Sequence, residues 1–145
     1  MIDERSRKKL IREHSRLMNA ADVDGLLGLY ADEVTVEDPV GGDQRSGRDA
    51  LRAHFEEFAR AGVQETMGDP VAGQDGKHVL APVRAVMDYL PKGPVFVERG
   101  WIEAPEQPEG KRISWDYVLM LRTGKGGAIT EFKALWGRSD IAVTD

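Results

Sequence analysis

Apolar residues recur every three to four positions from Arg5 to Ala21, at Leu10, Ile11, Leu17, Met18 and Ala21. That spacing lines one face of a helix and predicts a long first helix, with His14 on the same stripe. "NAADVDGLLGLYADE" breaks the period and predicts a short second helix, capped by Asp22 ahead of Leu26, Leu27 and Tyr30. "VTVED" alternates as a strand does. A third helix is predicted over "SGRDALRAHFEEFARAG", with Leu51, Phe55 and Phe58 on one face and Gly62 just past its end.

After Gly62 the period shortens to two. Strands are predicted at about 63–72, 77–90, 94–104, 111–122 and 128–136, separated by "GQDG", "PKGP", "APEQPEG" and "GKGG". Helices first and an antiparallel meander afterwards predict one α+β domain over 1–145, with the helices packed on a concave sheet face.

Bulk properties narrow the function. The 145 residues suffice for one core, and 41% hydrophobic with 31% charged residues is a globular balance. No apolar run approaches the ~20 residues of a membrane span, and the charged N-terminus predicts a cytoplasmic chain that engages no membrane. Without cysteine there is no disulfide or thiolate chemistry. A net charge of −5, with Lys and Arg scattered among acids, argues against nucleic acid as a partner. A small molecule, or a second copy of the chain, is the expected partner.

Three acids stand where strand alternation turns them inward. Asp38 shares a face with Val34 and Val36, Glu65 with Val63 and Met67, and Asp116 with Val118 and Met120. Each has a plainer reading: Asp38 as a turn residue before Pro39, Glu65 and Asp116 as edge positions or arginine partners. Together they suggest a cavity in which one ionised carboxylate serves as base and one protonated carboxyl as acid, without cofactor or metal. His14, His54 and His78 are too dispersed for a metal site, and His54 reads as solvent-facing or packing. "GKGGA" matches no phosphate-binding loop and reads as a hairpin turn.

The stretch "NAADVDGLLGLYADEVTVEDPVGGDQRSGRDALRAHF" resembles the ketosteroid isomerases, cone-shaped dimers of the nuclear-transport-factor-2-like fold. That likeness implies a proton-shuttling base at Asp38 and an oxyanion donor at Asp116, with His14 standing where the family has its oxyanion tyrosine. It also implies three N-terminal helices on a strongly curved, mostly antiparallel sheet. "RKKLIREHSRLMNAADVDGLLGLYADEVTVEDPVG", "DPVAGQDGKHVL", "VMDYLPKGPVFVERGW" and "LWGRSDIAV" are similar to a narrower group, the epoxide hydrolase/cyclases of polyether ionophore biosynthesis. This second resemblance implies a cofactor-independent pair, Asp38 and Glu65, that opens a polyketide epoxide by intramolecular hydroxyl attack. Asp116 and His14 become additional acids or donors. Val36, Phe55, Phe58, Met87, Trp101, Met120, Phe132 and Trp136 are the expected pocket lining. An isomerase-like or epoxide-independent pyran-forming enzyme, and a non-catalytic partner of an active paralogue, are the alternatives. A homodimer through the outer sheet face, or pairing with a paralogue, is implied by analogy.

Overall fold

The computed structural model describes residues 2–145. Helix α1 (Glu4–Asn19) begins where the Asp3 carboxylate accepts the Ser6 N–H, and buries Ile11, His14, Leu17 and Met18. α2 (Val23–Leu27) is capped by Asp22, which accepts from the Gly25 N–H. α3 (Arg48–Arg60) turns Leu51, His54, Phe55 and Phe58 inward and stops before Gly62, whose φ of 67° suits the left-handed residue that closes a helix.

The strands are β1 (Tyr30–Glu37), β2 (Gln44–Ser46), β3 (Gln64–Met67), β4 (Val71–Ala72), β5 (His78–Asp88), β6 (Arg112–Thr123), β7 (Ile129–Leu135) and β8 (Ile141–Thr144). They form one sheet in the order β2-β1-β7-β6-β5-β3, with β4 on β5 and β8 on β6. β1 and β7 run parallel and the other pairs antiparallel. The register shifts between Tyr30 and Thr35, and again between Arg122 and Thr123, as curved sheets require. β5 and β6 pair from His78↔Arg122 to Asp88↔Arg112 and form the spine.

The sequence pattern predicts no strand at β2, and one strand at 63–72 where the structure has two, β3 and β4, both paired with β5; two further segments differ from expectation. The predicted strand at 94–104 is instead α4 (Gly93–Glu98) followed by a loop, with Pro94 in the first helical turn. The alternation of Val95 and Val97 imitates a strand, but the side chain that α4 buries is Phe96, between them. β8 carries no strong local signal and exists through its ladder with β6.

The core lies between the helices and the inner sheet face, where Val34, Val36, Val79, Ala81, Ala85, Met87, Ile113, Leu119 and Leu121 meet Ile11, Leu51 and Phe55. Leu119, buried on the spine, tests which face of β6 is interior: Leu119→Ala is expected to cost about 2–5 kcal/mol in urea unfolding.

Candidate active site

Asp38 follows β1 by one residue, on the side already occupied by Val34 and Val36. Pro39 has no N–H to extend the ladder with β2, and Val40 bonds the Ala134 carbonyl instead. The carboxylate is thereby left at a strand end, aimed inward, its side chain 13% exposed. Trp136 donates its indole N–H to Asp38 Oδ1 at 2.8 Å, and His54 Nε2 lies 3.5 Å from Oδ2. Burial raises the carboxyl from 3.8 to about 6, against the opposing pull of Trp136, Lys92, Arg45 and Arg99.

Glu65 is buried on β3. The Asn19 side chain, at the end of α1, accepts the Glu65 N–H at 2.7 Å and donates to its carbonyl at 2.9 Å, so α1 sets the position of β3. Tyr117 donates to Glu65 Oε2 at 2.8 Å, while Oε1 is buried without a partner among the described residues. Burial raises the Glu65 carboxyl above its ordinary value, more than the neighbouring Tyr117 and Ser15 hydroxyls lower it. A protonated Glu65 whose Oε2 accepts from Tyr117 carries its hydrogen on Oε1.

His14 is also buried. Its Nε2 is 2.6 Å from the Tyr30 hydroxyl, its Nδ1 has no partner among the described residues, and burial lowers the proton affinity of the ring to a value of about 3. The ring is neutral. His14, Asp38, His54, Glu65 and Tyr117 line one narrow cavity with Met18, Phe58, Val63, Trp115 and Phe132, about 20 Å³ in volume and partly open to solvent. The arrangement offers a carboxylate acceptor, a carboxylic acid donor and a neutral imidazole to whatever enters.

Asp116 does not join them. On β6 the inward series is Ile113, Trp115, Leu119 and Leu121, so Asp116, Val118 and Met120 face outward. Asp116 is exposed and forms a two-pronged ion pair with Arg84, at 2.9 and 3.0 Å. The outer face is itself partly apolar, with Leu80, Val118 and Met120 half-buried, so alternation alone could not identify the interior. Met120 is accordingly not pocket lining. Val36, Phe55 and Met87 belong to the core, Phe58 and Phe132 line the cavity, and Trp101 packs edge-on against Trp136.

The structure adds two residues to the site. His54 is neither solvent-facing nor mere packing, although its spacing from Leu51 and Phe58 already placed it on the buried stripe of α3. Tyr117 was hidden by the wrong parity, one residue from Asp116.

A SnoaL-like domain model matches residues 11–132. The chain belongs to the SnoaL-like family. It is 43% identical, over 99% of its length, to "Epoxide hydrolase LasB" of Streptomyces lasalocidi, and spans about half of that relative, 51%. The solved structure of SalBIII is 32% identical with a TM-score of 0.82, covering 99% of this chain and 100% of that one. SalBIII is an epoxide hydrolase/cyclase-like enzyme with a role in pyran ring formation in the polyether salinomycin. RV0760c of Mycobacterium tuberculosis, solved with estradiol-17beta-hemisuccinate, shares the fold at 19% identity and a TM-score of 0.73, covering 91% of this chain and 94% of that one. The resemblance to polyether epoxide hydrolase/cyclases therefore extends through the SnoaL-like chain as a whole.

The raised Asp38 carboxyl makes stability depend on pH. Below about pH 3.8 folded and unfolded chains both hold the proton; as pH rises through about 6 the folded chain must bury a charge and loses stability. Asp38→Asn is expected to stabilise the SnoaL-like domain by about 2–3 kcal/mol at pH 8 and not at pH 3, read by urea unfolding at both. Asp116→Asn, on the opposite face, should leave turnover of any substrate within about two-fold of the parent.

Proposed function

We propose that this protein is a cofactor-independent epoxide hydrolase/cyclase acting on a polyketide epoxide. The observation that carries the proposal is a pair of inward carboxyls, one held by the Trp136 N–H and one with a buried oxygen unpartnered among the described residues, facing the same cavity. The named relatives support the same chemistry.

Asp38, as carboxylate, takes the proton of a substrate hydroxyl. The hydroxyl oxygen attacks an epoxide carbon, the carbon–oxygen bond of the ring breaks, and Glu65 gives its Oε1 hydrogen to the departing oxygen. Tyr117 then steadies the Glu65 carboxylate. If the Tyr30 hydroxyl donates to His14 Nε2, the imidazole hydrogen sits on Nδ1 and provides a second donor for the developing alkoxide. The product is an isomer of the substrate, so the proton gained by Asp38 replaces the one lost by Glu65. Strain in the three-membered ring drives opening; the protein supplies orientation, proton transfer and exclusion of water, which would otherwise yield a diol.

The role of SalBIII in pyran ring formation raises a second reading, closure of a pyran ring without an epoxide, which uses the same base. The outer face, with Leu80, Val118, Met120 and an exposed Leu135, supports a homodimer built on that surface.

A hydroxy bis-epoxide incubated with the protein should give cyclic ether, detected by mass spectrometry and NMR. Asp38→Asn and Glu65→Gln should each lower the rate at least about 100-fold, the usual scale of a lost general acid or base. Unchanged rates in both variants would reject the assignment; cyclisation of an epoxide-free hydroxy-enone alone would favour the second reading.

A further inference from the structure

His54 meets two groups of opposite character. Its Nδ1 is 3.3 Å from Arg45 Nη2 and its Nε2 is 3.5 Å from Asp38 Oδ2. The ring is buried, with edge-on contacts to Phe58 at 4.8 Å and Phe132 at 5.3 Å that oppose its rotation. Burial, together with Lys92, Arg45 and His14, holds its proton affinity well below the ordinary histidine value, so the ring is neutral with one N–H. A guanidinium has hydrogens to give and no lone pair to offer. The nitrogen facing Arg45 must therefore be the bare one, and the ring hydrogen sits on Nε2.

We propose that His54 is a positioning residue for the base: Arg45 keeps its hydrogen on Nε2, and that N–H steadies the Asp38 carboxylate on the oxygen that Trp136 does not hold. The inference rests on the reading of Asp38 as the base. At 3.5 Å the contact is looser than a formed hydrogen bond, as is common for catalytic contacts in ligand-free sites. With Trp136 on Oδ1 and His54 on Oδ2, both polar walls around Asp38 present N–H groups and no acceptor. A proton taken up by Asp38 has no exit through either wall and returns through the cavity towards Glu65. Arg45 thus closes an outward relay that the other histidine tautomer would open.

Other charges reach this pair. Lys92, which is paired with Glu57, along with Arg99, acts on Asp38; His14 acts on His54, and Tyr117 senses Asp38 from β6. Variants are therefore chosen to alter the hydrogen on Nε2 and as little else as possible. His54→Phe removes the donor and keeps the volume of a ring. His54→Gln can present an amide N–H close to the position of Nε2. Arg45→Lys keeps a donor-only cation, and Arg45→Glu offers Nδ1 an acceptor; both lie on the exposed strand β2.

The test is NMR on the intact, substrate-free protein: ring ¹⁵N shifts assign the His54 tautomer, and side-chain ¹³C shifts follow the Asp38 titration. The parent and Arg45→Lys should carry the hydrogen on Nε2, and Arg45→Glu should move it to Nδ1. His54→Phe should shift the Asp38 titration upward by about one pH unit, the scale of one lost donor to a carboxylate. The acid limb of kcat/KM for a 4,5-epoxy alcohol should move with it, and His54→Gln should restore at least half of the shift. A parent hydrogen on Nδ1, an unmoved Asp38 titration in His54→Phe, or equal behaviour of His54→Gln and His54→Phe would overturn the proposal. Because the tautomer and titration are read without turnover, a protein that shows both but cyclises no epoxide would refute the proposed reaction and leave this inference standing.

Discussion

Taking a carboxyl group out of water disfavours its charged form, and this chain does so twice in one cavity, at Asp38 and Glu65. Among the described residues neither forms an ion pair with Lys or Arg. Trp136, with His54 near it, attends Asp38, and Tyr117 attends Glu65, so their partners are neutral side chains that modulate proton affinity without forming an ion pair. A tight ion pair would have held the acid ionised and useless as a donor. Desolvation tempered by neutral donors leaves two carboxyls of raised proton affinity in different surroundings, as the proposed acid and base require.

The fold serves that arrangement through connections between distant segments. Asn19 ties the end of α1 to the backbone of Glu65, and Trp136, just past β7, reaches back to Asp38. The parallel pairing of β1 with β7 brings these last two together by aligning Val36 with Phe132 and Glu37 with Lys133. α3 adds His54 and Phe58 from the opposite layer. Glu65, on β3 at one end of the main sheet path, and Asp38, just past β1, which is next to the other end, are thus brought by curvature to one cavity.

Around Asp38 the aromatic side chains form a continuous series. Trp136 packs edge-on against Trp101 at 5.1 Å, Trp101 against Phe96 at 5.2 Å, and the Arg99 guanidinium lies 5.0 Å from the Trp101 ring. Lys92 lies over both Phe58 and Phe96. α4 and the loop after it therefore supply an apolar wall with cations at its edge, a surface compatible with the proposed substrate.

Much of this was legible in the residues themselves. Helical periodicity placed α1 and α3, Asp22 marked the start of α2, glycines marked the hairpins, and alternation from Val34 and Val63 turned Asp38 and Glu65 inward. These are local signals, carried by neighbours three or four positions away in a helix and two away in a strand. Alternation failed on β6 because both faces carry apolar residues; what decides between Trp115, with Tyr117, and Asp116, with Met120, is which face the helices cover. α4 read as a strand because a valine pair imitates alternation, and β8 exists only through its partner. By itself the sequence determined the α+β class, the first three helices and the two inward acids, because each depends on short-range periodicity. The tertiary structure alone decided that Asp116 faces solvent and that His54, Tyr117 and Trp136 surround the acids, because those contacts join residues up to 98 positions apart.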